Sequence, residues 1–166
     1  MSEKNLYLLA AFDDATSKSM AMINKKLNEA GIFGRQTPGI PYHITLTRYT
    51  SDREEEIKQL LQDICAATNS FDINFSHIGL FGLEVLFLAP DMTYELLELY
   101  KNLDRDSIKD ARGWTPHATI LIDDARNIQS ALPIMAQNFK QLRASIKSVC
   151  LYEFYPTRLI AQYNLQ

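Results

Sequence analysis

The feature that most constrains the fold of this chain is an internal repeat of secondary-structure patterns. Each half reads as strand, helix, strand, helix and strand, and the second strand of each half carries the same short motif. The motifs are His43-Ile44-Thr45 and His117-Ala118-Thr119. Two copies of one arrangement predict two similar lobes related by an approximate twofold axis.

Apolar periodicity predicts where the elements lie. Residues 6–12 form a strand-like apolar run, and residues 15–30 carry Met20, Ile23 and Leu27 at helical spacing. We predict helices at 53–67 and 125–139, a further helix that contains Tyr94, Leu97 and Leu103, and strands at 43–49, 71–80, 85–89, 117–122, 142–155 and 159–163. Pro133 is expected to interrupt or end the last helix, since proline lacks the N–H that continues it.

The predicted fold class is therefore α+β, with residues 1–166 forming a single bilobal domain. Each lobe is expected to have an antiparallel sheet with helices on its outside, and the two lobes to face a central groove. The composition is that of a globular protein, with 46% hydrophobic and 22% charged residues. Cys65 and Cys150 lie in apolar surroundings and are expected to be buried free thiols.

Charge and hydropathy limit the partners. The net charge is −3 with a pI near 5.6, and no run of lysine or arginine is present, so long duplex nucleic acid is not an expected ligand. A nucleotide or one end of an RNA needs only a few donors. The apolar runs are too short to cross a bilayer and no signal peptide is recognisable, so we expect a cytoplasmic monomer without membrane contact.

Strand geometry assigns the two motifs a polar face. Side chains at i and i+2 point the same way, so His43 aligns with Thr45 and His117 with Thr119, while the intervening apolar residues face the core. By the same alternation, Arg48 is expected on the face opposite to His43. The repeat thus predicts two imidazoles and two hydroxyls that line one groove.

Two histidines and two threonines suit phosphodiester chemistry. Hydrolysis needs a base for the nucleophile, an acid for the leaving oxygen, and donors for the non-bridging oxygens. Imidazole serves as acid or base because it titrates near working pH. Symmetric placement puts the two imidazoles on opposite sides of the phosphorus, as in-line displacement requires.

Other site types have weaker support in the sequence. Two histidines with Asp123 or Asp124 form a possible zinc site, although the spacing is unfamiliar and threonine is a poor zinc ligand. Cys65 has no nucleophile signature, and no Gly-rich phosphate loop is present. His77 is interpreted as a structural histidine. We expect no metal and no cofactor.

The paired His-x-Thr-hydrophobic motifs resemble those of the 2H phosphoesterase superfamily, which includes the 2′-5′ RNA ligase-like proteins and cyclic nucleotide phosphodiesterases. The resemblance spans essentially the whole chain and implies a bilobal fold and metal-independent action on 2′,3′-cyclic phosphates or 2′-5′ linkages. By this resemblance His43 and His117 are the acid and base, and Thr45 and Thr119 hold phosphate oxygens.

The motifs do not determine which residues contact the substrate or to which branch of the family the chain belongs. Phe12, Trp114 and Tyr155 are the aromatic residues proposed to stack on a base. A basic residue often follows a motif in the ligase-like branch, as Arg48 does after the first motif and nothing does after the second. We expect hydrolysis of the 2′,3′-cyclic phosphates of nucleotides or RNA ends. The alternatives are a 2′-5′ phosphodiesterase or ligase-like enzyme, and a non-catalytic protein that binds nucleotides or RNA ends.

Overall fold

The computed structural model describes residues 3–166, and in that part of the chain the predicted order of elements is confirmed. The strands are β1 (Asn5–Phe12), β2 (His43–Thr50), β3 (Phe71–Phe81), β4 (Val85–Pro90), β5 (Ala118–Ile122), β6 (Leu142–Phe154) and β7 (Arg158–Asn164). The helices are α1 (Asp14–Glu29), α2 (Glu54–Ala67), α3 (Tyr94–Leu103) and α4 (Ala125–Asn138).

Local chemistry explains where two of the helices begin. The Thr93 hydroxyl accepts the Leu96 N–H at 3.2 Å and caps α3, and an Asp124 carboxylate oxygen accepts the Asn127 N–H at 2.9 Å and caps α4. The predicted interruption at Pro133 is wrong, because α4 continues through it. Pro133 and the residue four positions earlier are both exposed, so water can hydrate the carbonyl that loses its helical partner.

The seven strands are antiparallel and form one open sheet in the order β2-β1-β6-β3-β4-β5, with β7 also paired to β6. Strands β2, β1, β6 and β7 belong to the first lobe, and β3, β4 and β5 to the second. Residues 71–75 of β3 pair with residues 142–146 of β6 and join the lobes. The predicted α+β fold is confirmed, with the two sheets joined edge to edge.

The core lies between one face of this sheet and the helices. Met20, Ile23 and Leu27 form the buried stripe of α1, as predicted, and pack in the same cluster as Leu6 and Leu8 of β1. Both cysteines are buried and free, also as predicted. No helix within residues 3–166 is long and apolar enough to cross a membrane.

The sheet curls until its two end strands, β2 and β5, have Cα atoms within 8 Å of each other. Two loops cross between the lobes at this point. In the first crossing loop, residues 30–42, the Arg35 N–H donates to the Ile122 carbonyl at 2.7 Å. In the second crossing loop, residues 104–117, the Ile108 N–H donates to the Arg48 carbonyl at 2.8 Å. The loops thereby fix the two His-x-Thr strands beside each other.

Candidate active site

The two motif histidines are held in the same way. Nδ1 of His43 lies 2.7 Å from the Pro41 carbonyl, and Nδ1 of His117 lies 2.7 Å from the Thr115 carbonyl. A carbonyl oxygen only accepts, so each Nδ1 carries the proton and donates it. In the neutral ring, Nε2 is then the unprotonated nitrogen and is free to exchange a proton with a ligand.

Burial lowers the pKa of both histidines. For His43, desolvation lowers the pKa, the Pro41 carbonyl opposes this effect, and the charge of His117 lowers the pKa further. For His117, desolvation again acts first, and the Thr115 carbonyl opposes it. Because β2 and β5 meet, the two rings belong to one site, and both favour the neutral form at neutral pH when no ligand is bound.

The threonines complete the pair of motifs. Thr45 pairs with Leu9 of β1, and Thr119 pairs with Phe87 of β4. Both threonines are partly exposed, whereas Ile44 and Ala118 are buried in the core. The alternation therefore turns the imidazoles and hydroxyls to the face away from the helices, which we call the groove face.

A β-bulge alters the face of Arg48. Leu9 and Leu8 of β1 pair with Thr45 and Thr47 of β2, so Leu46 is an extra residue in the ladder. The alternation shifts by one position at a bulge. Arg48 consequently pairs with Tyr7 and shares the face of Thr45, and the prediction that it faces away from His43 is wrong.

The second motif has the same bulge. Phe87 and Leu86 of β4 pair with Thr119 and Leu121 of β5, which leaves Ile120 as the extra residue. Ile122 therefore occupies the position that Arg48 has in the first lobe. The backbones of the two motifs match, but a cation follows only one of them.

A cavity of about 190 Å³ opens beside the β2 motif, between that strand and the second crossing loop. It joins motif residues to aromatic and charged side chains. Its wall includes Tyr7, Thr45, Arg48, Phe81, Tyr100, Lys109, Asp110, Arg112, Trp114 and His117. His43 and Thr119 do not line it, so the cavity extends to one side of the histidine pair.

Two phenylalanines support the His117 ring. Its centroid lies 4.7 Å from that of Phe81, edge to face, and 5.1 Å from that of Phe87. The Phe87 ring lies over Gly79, where an added Cβ would collide with it. Gly79 is therefore needed for Phe87 to lie flat, and the apolar ring pair accounts for part of the desolvation of His117.

Three cationic side chains, Arg48, Lys109 and Arg112, line the cavity and differ in whether a carboxylate is paired with them. Lys109 pairs with Asp104 at 2.5 Å, and Arg112 pairs with Asp110 at 3.3 Å. The Arg112 guanidinium also stacks over the Phe81 ring at 4.3 Å from its centroid. Within residues 3–166, no carboxylate lies within 4 Å of Arg48. Arg48 is therefore the cation most available to an anionic ligand.

The three aromatic residues predicted to stack on a base are placed differently. Trp114 lines the cavity, and its indole N–H donates to the Thr45 carbonyl at 3.0 Å. The Tyr100 ring stacks on the Trp114 ring with centroids 3.9 Å apart. Phe12 is a correction: it shares the parity of the buried residues of β1 and packs edge to face on Phe75 in the core.

The stacking of Tyr155 on a base stays a prediction. Tyr155 is 57% exposed at the turn between β6 and β7, and its hydroxyl bonds the Thr37 hydroxyl at 2.6 Å. This contact holds the hairpin against the first crossing loop, and Tyr155 does not line the cavity. Position near a hairpin turn gave no information on where the turn lies relative to the motifs.

Sequence reasoning did not find the rest of the cavity wall. Tyr7 faces the cavity because it is two residues from Leu9, the partner of Thr45, and that signal requires knowledge of the strand pairing. Tyr100 lies on α3, and Arg112 lies in the second crossing loop. The density of charge in that loop was a signal in the sequence, but only the crossing brings it to the β2 motif.

The aspartates considered as metal ligands have other partners. An Asp123 oxygen accepts from Asn127 Nδ2 at 3.1 Å, and Asp123 also accepts the Asp124 N–H at 2.8 Å. Asp123 and Asp124 therefore both stabilise the first turn of α4. Among residues 3–166, no group of three or more His, Cys, Asp or Glu side chains is arranged to hold a metal ion.

Comparison with known proteins identifies the family and the fold of this chain. The family model described as the 2′-5′ RNA ligase superfamily matches residues 16–157. No curated protein sequence matches the chain. Among solved structures, E. coli LigT complexed with 3′-AMP has a TM-score of 0.68 at 16% identity and covers 98% of both chains.

Two other structures agree. The protein TT0787 of Thermus thermophilus has a TM-score of 0.70 at 11% identity, with 97% of each chain covered. A structure described as a phosphoesterase has a TM-score of 0.68 at 16% identity, with 99% of each chain covered. At these identities the likeness establishes the fold, and the family match establishes membership. The chain therefore belongs to the 2′-5′ RNA ligase superfamily, within the 2H phosphoesterases that its paired motifs resemble.

Proposed function

We propose that this protein is a metal-independent phosphodiesterase that hydrolyses the 2′,3′-cyclic phosphates of nucleotides or RNA ends. The observation that carries the proposal is the equivalent state of His43 and His117. Each ring donates from Nδ1 to a backbone carbonyl and keeps Nε2 for a ligand. Family membership supports an enzyme that acts on phosphate esters.

In the proposed reaction, His117 removes a proton from water, and the water oxygen attacks the phosphorus of the cyclic phosphate. The bond from phosphorus to the ribose O3′ breaks, and His43, whose protonated form the bound phosphate anion favours, delivers a proton to that oxygen. The product is a nucleoside 2′-phosphate with a free 3′-hydroxyl. The next turnover begins when a proton passes from His117 to His43, directly or through solvent.

The threonine hydroxyls of Thr45 and Thr119 are proposed to donate to the non-bridging oxygens, where negative charge increases as the water attacks. Arg48 adds a full positive charge at the cavity side of the site, with no carboxylate partner to neutralise it. Hydroxyl donors and one cation can then replace the role that a metal ion plays in other phosphodiesterases.

The cavity beside β2 is the proposed site for the nucleobase. Tyr7 and Trp114 provide aromatic surface there, and any base presents a π-face. A base in this cavity would leave the ribose and cyclic phosphate near His117 and Thr45. We further propose that the protein acts as a cytoplasmic monomer, as its composition suggests.

The test is hydrolysis of nucleoside 2′,3′-cyclic phosphates in excess chelator by the native chain, His43→Ala and His117→Ala. A positioned acid or base contributes about 10² to 10⁴-fold, so each variant should lose activity on that scale. Phosphorus NMR of the product should show a 2′-phosphate. Exposed His77 provides the matched control, since His77→Ala should keep hydrolysis of the mononucleotide.

Three results would contradict the proposal. Loss of activity with chelator would indicate a metal site. Full activity in either motif variant would remove that histidine from the mechanism. Nucleotide binding without turnover in the native chain would support the non-catalytic binding protein instead.

The family match favours a second candidate, action on a 2′-5′ linkage. The same acid and base would serve, with a nucleoside 5′-oxygen as the leaving group or as the incoming nucleophile. A 2′-5′-linked dinucleotide in the same assay separates the candidates. Faster cleavage of that dinucleotide than of the cyclic phosphate would make the linkage the preferred substrate.

A further inference from the structure

The third histidine of the chain, His77 on β3, also lies on the groove face. It pairs with Ala89 of β4, and Ala89 shares its face with Phe87, whose ring contacts His117. Because Ala118 pairs with Leu88, His117 lies beside Ala89. His77 and His117 are therefore two strand spacings apart, roughly 10 Å.

The state of the His77 ring follows from its neighbours. The Ser76 hydroxyl donates its only proton to an Asp91 carboxylate oxygen, so Ser76 Oγ can only accept from His77 Nδ1, which lies 3.0 Å from it. Nδ1 is thus the protonated nitrogen, and Nε2 of the neutral ring is an acceptor. The side chain is exposed, so this acceptor is open to a ligand.

The position of His77 determines which part of a ligand could reach it. A group roughly 10 Å from His117 is too far away to contact the reacting phosphate. The proposed base cavity is lined by His117 and Thr45 but not by His77, so the base of the reacting nucleotide lies elsewhere. On the intervening strand, the residue between them is Ala89, whose side chain is a single methyl group.

We propose that His77 belongs to a second subsite, which binds the nucleotide next to the reacting one and accepts a hydrogen bond from its ribose 2′-hydroxyl. An acceptor requires a donor, and the 2′-hydroxyl is the donor that RNA carries at every sugar. This inference rests on the proposed function and narrows its substrate class to RNA ends of two or more nucleotides.

The experiment compares a dinucleotide that ends in a 2′,3′-cyclic phosphate with the mononucleotide cyclic phosphate. In His77→Ala, KM for the dinucleotide should rise about fivefold, the usual effect of one lost hydrogen bond, with kcat unchanged and mononucleotide hydrolysis unaffected. His77→Gln, which keeps an acceptor, should restore part of the effect. Leu80→Ala, an exposed residue of the same strand, should leave both substrates unchanged.

A third substrate tests the donor. A dinucleotide with a 2′-deoxy sugar at the first position should have the same KM in the native chain and in His77→Ala. Equal effects of His77→Ala on dinucleotide and mononucleotide, or no effect on either, would overturn the subsite.

Failure of the proposed function would be seen separately, as no hydrolysis of either substrate by the native chain. In that case, calorimetric binding of the same dinucleotide tests the subsite. Equal affinity in the native chain and His77→Ala would overturn it, and a weaker affinity in the variant would support it.

Discussion

The two His-x-Thr strands have matching backbones and different surroundings. The histidine of each motif donates to a carbonyl two residues before it, and each strand has a bulge directly after the motif threonine. After the bulge, β2 presents Arg48 opposite Tyr7, whereas β5 presents Ile122 opposite Val85. The duplicated backbone provides an acid and base pair, and the unlike side chains make one side of that pair the binding side.

The histidines also differ in their support. Phe81 and Phe87 contact the His117 ring, while the equivalent positions beside His43 are Tyr152 and Leu9. Rings of this kind restrict the imidazole and exclude water from one side of it. Symmetry in the main chain therefore does not make the two histidines interchangeable, and variants at equivalent positions should separate what is shared from what is not.

The largest expected effect concerns the feature that the two strands share. Thr45→Val and Thr119→Val each remove one hydroxyl donor with little change of shape, and each should lower kcat for the cyclic phosphate by about 10² to 10³-fold. Thr50→Val, at the exposed end of β2, is the control and should keep full activity. Loss in only one motif variant would show that a single threonine holds the phosphate.

Gly79 tests the support of His117. Gly79→Ala pushes a methyl group into the Phe87 ring, and such overpacking costs about 1 to 3 kcal/mol of the free energy of unfolding. We expect a lower urea midpoint and a lower kcat, because the His117 ring moves with Phe87.

Phe87→Leu provides the matched rescue for that variant. It gives the second lobe the residue that Leu9 supplies in the first, and it makes room for the new methyl group. Gly79→Ala combined with Phe87→Leu should regain stability. If the double variant is no more stable than Gly79→Ala alone, the close contact at Gly79 is not the cause.

Arg48 tests the difference between the binding side and its counterpart. Arg48→Met keeps the length of the side chain and removes its charge, so KM for the cyclic phosphate should rise about tenfold, equivalent to about 1.4 kcal/mol. Ile122→Met changes the equivalent position and should leave KM unaltered. Steady-state kinetics that show equal KM values for the two variants would disprove the asymmetry.

The smallest effect is on stability as a function of pH. Burial lowers the pKa of both motif histidines below their ordinary value of 6.5 in the folded chain. As the pH falls through 6.5, the unfolded chain binds protons that the folded chain does not, so stability decreases in that window. At higher pH both states are neutral at these positions and the effect is absent.

The variant His43→Gln with His117→Gln removes these two titrations. Between about pH 7.5 and about pH 5, its free energy of unfolding should fall less than that of the native chain, by about 1.4 kcal/mol for each unit of lowered pKa. Urea unfolding of both proteins at both pH values measures the difference. Parallel losses in the two proteins would contradict the lowered pKa values.

Periodicity was sufficient to predict the elements that build this site. The alternation of Leu6, Leu8 and Ala10 and the helical spacing of Met20, Ile23 and Leu27 follow directly from strand and helix geometry. Phe12 could have been recognised as a core residue by the same rule, since it continues the buried parity of β1. Its interpretation as a stacking residue relied on its chemical type alone.

Bulges and crossing loops could not be predicted in this way. A bulge inserts one residue into a ladder, and its position depends on which residues of the partner strand lie opposite. Leu46 and Ile120 look like ordinary strand residues in the sequence. The faces of Arg48 and Ile122 therefore required the observed pairing with β1 and β4.

The sequence by itself determined the repeat, the two His-x-Thr motifs and the face that they share, because strand alternation depends only on neighbours along the chain. The tertiary structure decided that β2 and β5 meet, that Arg48 turns to the cavity, and that Trp114 and Arg112 form its wall. Those features depend on the curl of the sheet and on loops that reach across to the other lobe, so they arise from contacts between residues distant in sequence.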